Sequence, residues 1–256
     1  MLRVLATRPR AQNEGWCQRL RQSGFACLPI PVLDIEAVQE PRQKQALKNL
    51  ILDFDQFDQV VFASQNAVRE TLAWLDQYWP QLPDGIQYLA VGQKTAEALS
   101  AYGIDAVSCR RAMDSEELLS LPELQVVAGR KILICRGRGG RPHLAEVLEA
   151  RGASVVFGEF YERCLPAEAV TAVGQSDFLK GHYREIISVF SGESLDNLVE
   201  VLEAALTDNW KETPVLVPGE RVARQAQNVG FRQVITATNA TESAMLEALK
   251  SWVSSD

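Results

Sequence analysis

Apolar residues gather in short runs along this chain, at 3–7, 26–32, 58–63, 87–91 and 105–108, and again at 131–135, 154–160, 185–190, 214–217 and 232–236. Runs of that length, bounded by turn residues and lacking strict alternation, predict strands buried on both faces. Between them the apolar positions change to helical spacing, as in Ala67, Val68, Leu72 and Leu75, or Leu195, Leu198, Val199 and Leu202. Gly24, Gly103, Gly152 and Gly230 stand where helix C-caps belong. Short strands alternating with helices predict parallel α/β layers.

The pattern is written twice. Val61-Phe62-Ala63-Ser64 and Ser188-Val189-Phe190-Ser191 each pass from strand to helix, with the serines 127 residues apart. Ala90-Val91-Gly92-Gln93-Lys94-Thr95-Ala96 and Val217-Pro218-Gly219-Glu220-Arg221-Val222-Ala223 repeat that offset. Val4-Leu5-Ala6-Thr7-Arg8-Pro9-Arg10 and Ile132-Leu133-Ile134-Cys135-Arg136-Gly137-Arg138 lie 128 apart in a chain of 256 residues. The expected fold is therefore α/β, two similar doubly wound domains with parallel sheets. Pro29, Pro31, Asp34 and Pro41 punctuate one connector, and Pro166 the stretch Glu162 to Glu168. If the chain crosses between domains at both, residues 38–161 form an inserted domain, 1–35 and 166–256 form a discontinuous one, and 36–37 and 162–165 are linkers.

Composition narrows the function. Lys and Arg number 26 against 33 Asp and Glu, a net charge of −7, which argues against a nucleic-acid partner. No apolar run approaches a membrane span, and the N-terminus lacks the form of a signal peptide. Cys17, Cys27, Cys109, Cys135 and Cys164 are odd in number and never spaced CxxC. They are expected to be reduced thiols of a cytoplasmic protein. The two histidines, His143 and His182, are far apart, so no metal site is expected. Nothing suggests an obligate oligomer, and a monomer is expected.

In open α/β sheets ligands bind beyond the carboxyl ends of the strands, where helix N-termini present free N–H groups. Small polar residues stand at those junctions: Thr7 and Arg8, Ser64-Gln65-Asn66, Gly92 with Lys94 and Thr95, Arg136 and Gly137, Ser191-Gly192-Glu193-Ser194, and Gly219-Glu220-Arg221. The cleft between two such domains is the expected binding site. Ser64 and Ser191 read as N-caps rather than nucleophiles, because no GxSxG and no histidine partner accompany them. Arg136-Gly137-Arg138-Gly139-Gly140-Arg141 concentrates three arginines after a strand, which suits carboxylates or phosphates, or is a solvated loop. Asp114-Ser115-Glu116 and Asn239-Ala240-Thr241-Glu242 read as caps of the last helix of each half. Tyr161 is either a core aromatic or a hydroxyl aimed into the cleft.

The order and spacing of these pieces resemble the uroporphyrinogen-III synthase family. The matching segments are Leu5-Ala6-Thr7-Arg8-Pro9, Phe62-Ala63-Ser64-Gln65-Asn66-Ala67-Val68, Ala90-Val91-Gly92 with Thr95-Ala96, Leu133 with Arg136-Gly137, Gly139-Gly140-Arg141, Tyr161-Glu162-Arg163-Cys164, Phe190-Ser191, and Thr236-Ala237 with Thr241. The resemblance implies two flavodoxin-like domains joined by a two-stranded linker, with the active site in the cleft. It implies a lyase of tetrapyrrole (heme) biosynthesis that needs no cofactor and cyclises hydroxymethylbilane with inversion of ring D. Tyr161 matches the tyrosine proposed in that family to assist loss of the substrate hydroxyl. The substrate-binding residues expected from it are Thr7, Arg8, Ser64, Gln65, Asn66, Gly92, Lys94, Thr95, Arg136, Arg141, Ser191, Gly192, Glu193, Ser194, Gly219 and Thr241. Ala63 stands where some relatives carry threonine, and Pro218-Gly219-Glu220 is atypical. The competing expectations are a non-catalytic two-domain binding protein for an anionic small molecule, and a flavin or dinucleotide protein, for which the glycine fingerprint is missing.

Overall fold

A computed structural model describes residues 2–108, 115–140, 142–180, 182–205 and 209–255. The chain divides into two compact units, one of residues 1–34 with 164–256, the other of 35–163. The elements are β1 (Leu2–Ala6), α1 (Arg10–Gln22), β2 (Ala26–Pro29), β3 (Asp34–Ala37), α2 (Pro41–Leu52), β4 (Gln59–Phe62), α3 (Gln65–Tyr78), β5 (Gln87–Ala90), α4 (Gln93–Ser100) and β6 (Ala106–Ser108). They continue with α5 (Ser115–Leu119), β7 (Lys131–Gly137), α6 (His143–Ala150), β8 (Ser154–Cys164), α7 (Ala169–Gln175), β9 (Arg184–Ser188), α8 (Gly192–Ala204), β10 (Val215–Pro218), α9 (Glu220–Asn228), β11 (Val234–Ala237) and α10 (Glu242–Ser255). None of the helices described is long and apolar enough to cross a membrane.

The first unit holds a sheet in the order β11-β10-β9-β1-β2, all pairs parallel. Counted within the unit this is 2-1-3-4-5, the flavodoxin-like order. Alternation along β1 separates two cores. Val4 and Ala6 pack with Trp16, Leu20 and Met245 beneath α1 and α10, while Leu5 faces Leu195, Leu198 and Leu202 of α8.

The second unit holds the order β3-β8-β7-β4-β5-β6. Its five strands β8, β7, β4, β5 and β6 are parallel and repeat the same order, with β7 and β8 standing first and second. Each unit thus takes two opening strands from one half of the repeat and three closing strands from the other.

Residues 34–37 form strand β3 beside β8, and β8 runs to Cys164, so the segments 36–37 and 162–165, expected to belong to a two-stranded linker, are largely strand. Proline and aspartate punctuation concealed an edge strand of four residues, where few ladder bonds are required. Cys17 and Cys27 are disulfide-bonded, with Cα atoms 5.4 Å apart. Helix α1 packs on β2 and brings its buried Cys17 over that strand, a proximity that a ten-residue spacing does not announce. The expectation of reduced thiols fails for that pair. Cys135 and Cys164 are not disulfide-bonded, and Cys109 lies outside the described residues.

Candidate active site at the strand ends

The candidate residues sit at the carboxyl ends of the two parallel sheets, as the strand–helix rule requires. In the second unit Ser64 closes β4 and caps α3: its backbone is extended, and its Oγ accepts the Ala67 N–H at 3.1 Å. That leaves the hydroxyl proton and a lone pair, and one of the two serves Tyr161, whose phenol oxygen lies 3.0 Å from Ser64 Oγ with either hydroxyl able to donate. Tyr161 is 3% exposed and packs with Phe62, Ala67 and Phe160. It is therefore at once a core aromatic and the bearer of a hydroxyl held at a helix N-terminus. Gln65 and Asn66 open α3, the first exposed and the second half-buried.

Gly92 follows β5 with φ 86° and ψ 159°, a region only glycine occupies without strain. It turns the chain so that α4 starts at once. Thr95 spends its hydroxyl on the Val91 carbonyl at 3.1 Å and is buried, whereas Lys94 is exposed.

The other unit reproduces this geometry. Ser191 has the same extended backbone, and its Oγ accepts the Ser194 N–H at 3.1 Å and lies 2.9 Å from Ser194 Oγ. Gly219 has φ 84° and ψ 168°. A Cβ at Gly192 would stand 2.5 Å from Gln225 Oε1, so a side chain there would displace Gln225. Gln225 in turn donates to the Gly192 carbonyl and to Asp196. Glu193 is exposed, and Thr241 caps α10 by accepting the Ala244 N–H at 3.3 Å.

The remaining candidates have internal partners. Thr7 is fully buried and donates to the Ser188 carbonyl at 2.8 Å. Arg8 pairs with Glu242 at 2.6 Å, donates to Gln12 and lies 4.2 Å from the Phe190 ring centre. Burial lowers its pKa more than Glu242 restores it. Arg136 bridges Glu159 and the Gly140 carbonyl, both at 3.0 Å, and stacks 3.5 Å from the Phe157 ring centre. Arg141 lies outside the described residues, as does Asp114.

Among the described residues, hollows occur away from the Ser64–Tyr161 pair. One of about 470 Å³ lies between α1, the loop after β2 and α7, and one of about 530 Å³ between α2 and β8. Neither is lined by Ser64 or Tyr161. No cluster of His, Cys, Asp or Glu that could hold a metal occurs among the described residues. Sequence reasoning missed the buried Arg3–Glu185 pair, the Gln225 brace and the seat of the Tyr161 ring on Gly137. Each joins residues distant in sequence, and the only local trace was glycine at 137.

Comparison with known proteins agrees over almost the whole chain. The family model described as Uroporphyrinogen-III synthase HemD matches residues 15–247. The Uroporphyrinogen-III synthase of Escherichia coli (strain K12) is 34% identical over 254 residues, covering 96% of this chain and 99% of the relative. That of Salmonella typhimurium (strain LT2) is 35% identical over 256 residues, with the same coverage. Among solved structures, a mutant uroporphyrinogen III synthase from the extremely thermophilic bacterium Thermus thermophilus superposes with a TM-score of 0.61 at 19% identity, covering all of both chains. The enzyme of Helicobacter pylori 26695 gives 0.58 at 16%, covering 98% of this chain and 100% of the other. These two likenesses speak for the fold, and the sequence matches speak for the family. The chain belongs to the uroporphyrinogen-III synthase family.

Proposed function

We propose that this chain closes the linear tetrapyrrole hydroxymethylbilane to uroporphyrinogen III, with loss of water and inversion of ring D through a spiro intermediate. The observation that carries the site assignment is the Tyr161 hydroxyl, held 3.0 Å from Ser64 Oγ at the start of α3. A phenol so placed donates its proton to the departing hydroxyl of the substrate. The terminal C–O bond breaks, water leaves, and an azafulvenium cation remains. The electron pair of the substituted carbon of ring D attacks it to form the spiro centre. Fragmentation frees a second azafulvenium, and reattack from the other α-carbon of ring D closes the macrocycle. Loss of that carbon's proton restores the pyrrole and balances the proton given at the start.

No nucleophile is required, which suits a site made of caps and turns. The enzyme has to favour the spiro route over direct closure to isomer I. A hundredfold preference corresponds to about 2.7 kcal/mol in the barrier, within reach of positioning alone. The eight carboxylates of the substrate suit the helix N-termini. Ser64, Gln65, Asn66, Gly92, Lys94 and Thr95 are assigned to them in one unit, and Ser191, Gly192, Ser194, Gly219 and Thr241 in the other. In this reading each unit is one flavodoxin-like domain. The test is to incubate the purified protein with hydroxymethylbilane and resolve the uroporphyrinogen isomers by chromatography. Isomer III in excess of spontaneous closure is expected. Isomer I alone would overturn the reading and favour a binding protein.

A further inference from the structure

We propose that Gly137 is a positioning residue for Tyr161, an inference that rests on the role given to Tyr161 above. Strands β7 and β8 pair without interruption from Lys131↔Ser154 to Arg136↔Glu159, and then the register shifts to Gly137↔Tyr161. One extra residue, Phe160, enters β8 there. A bulge of this kind re-aims the side chain that follows it. The Tyr161 ring is turned onto the backbone of Gly137: a Cβ at 137 would stand 2.5 Å from Cε2, 2.7 Å from Cζ and 3.1 Å from the hydroxyl oxygen. The Tyr161 carbonyl also accepts the Arg138 N–H at 2.8 Å, locking the strands at this point.

Glycine at 137 is not there to relieve the backbone. Gly139, two residues on, has φ 73°, whereas Gly137 is not among the residues with positive φ. What position 137 excludes is a side chain. The phenol is thus located from two sides, by Ser64 Oγ at its hydroxyl and by the bare strand beneath its ring. Any larger residue has to push Cε2 by about 0.9 Å to reach the ordinary contact distance of 3.4 Å. A shift near 1 Å breaks the Ser64 bond and costs about 100-fold in rate where geometry governs the step.

Gly152 supplies the matched control. It precedes β8 with φ 88°, and a methyl group there would meet only Ala128, at 3.2 Å. The full-length protein is compared with Gly137→Ala, Tyr161→Phe, their double variant and Gly152→Ala, reading kcat, KM and the fraction of isomer III beside thermal stability. Gly137→Ala is expected to lower kcat about 100-fold with KM changed less than about threefold, and to add less than about threefold to the loss in Tyr161→Phe. Gly152→Ala is expected to lose stability, from its positive φ, and keep kcat. A Gly137→Ala protein with kcat within about threefold of wild type overturns the proposal, and so does an equal loss in the Tyr161→Phe background. An unchanged kcat in Tyr161→Phe overturns the role of Tyr161 itself, whereas a low value there beside a normal Gly137→Ala overturns the positioning role alone. If Gly137→Ala does not fold, Gly137→Ala/Tyr161→Ala has to restore folding, because it deletes the overlapping ring; continued failure overturns the contact.

Discussion

Replacing Glu185 by alanine tests the ion pair that joins the two sequence halves inside one sheet. Arg3 on β1 and Glu185 on β9 are register partners, each 7% exposed. The guanidinium meets both carboxylate oxygens, Nη2 to Oε1 at 2.5 Å and Nε to Oε2 at 3.2 Å, and Nη1 reaches Asp177 at 2.6 Å. The Tyr183 ring centre lies 4.1 Å from its Cζ. The Glu185 bond, ahead of the opposing desolvation, holds the Arg3 pKa above its ordinary value. Truncation removes both bonds of the fork and leaves a buried cation whose remaining carboxylate, Asp177, is half exposed. Breaking a buried pair this way costs about 3–5 kcal/mol. The surviving Asp177 bond puts the expected loss near the lower end, about 3 kcal/mol, a large share of a total that is about 5–15 kcal/mol for a typical domain. Urea unfolding followed by circular dichroism and tryptophan fluorescence measures it. Arg3→Met/Glu185→Leu, which removes both charges and fills the space, is expected to recover most of the loss. A Glu185→Ala variant less than about 1 kcal/mol below wild type would refute the reasoning, as would a double variant no better than the single one.

Four further outcomes follow from the geometry. Gly92→Ala and Gly219→Ala put a methyl on backbone of strongly positive φ, so each is expected to lose about 1–3 kcal/mol from backbone strain, read as a drop in Tm; unchanged Tm values would contradict the strained turns. The Lys131 N–H first, and then Arg130, hold the Asp58 carboxyl below its ordinary pKa. Its contribution is fully present above about pH 4 and lost as pH falls through the lower folded value, so Asp58→Asn is expected to flatten the acid limb of stability against pH, and an unaltered limb would remove Asp58 from it. Burial pushes the Cys135 thiol up to about 12, so Cys135 is expected to resist iodoacetamide at about pH 8 until urea unfolds the chain. In the same peptide map without reductant, the peptides of Cys17 and Cys27 are expected to be joined; two free thiols there would contradict the disulfide.

Much of the candidate site's local geometry was legible in the sequence because its parts are local. Ser64 and Ser191 were readable as caps, since a serine ahead of an amphipathic run satisfies its own helix, and Gly92 and Gly219 as turns between strand and helix. What Thr7, Arg8 and Arg136 touch was not legible. Their partners Ser188, Glu242 and Glu159 lie 181, 234 and 23 residues away, and an arginine after a strand looks the same whether it awaits an anion or already holds a carboxylate. Tyr161 packs at one end of its ring and bonds to Ser64 at the other, so a core aromatic there still presents a hydroxyl at the helix start.

By itself the sequence determined that the chain would build strands and helices in parallel layers, twice over, with the chemistry-bearing residues at the strand ends. Apolar period, glycine punctuation and capping are properties of a few neighbouring residues, and they repeat at an offset of 127 or 128. Only the tertiary structure decided which strands share a sheet. Leu2 to Ala6 pair with Arg184 to Ser188, and Gln59 to Phe62 with Ile132 to Cys135, so each unit combines both halves of the repeat. The local pattern is identical whether a half folds on itself or exchanges its opening strands. The halves are joined by long-range pairs that no local pattern contains: Arg3 with Glu185 in one sheet, and Arg130 with Asp58 beside the β4–β7 pairing in the other.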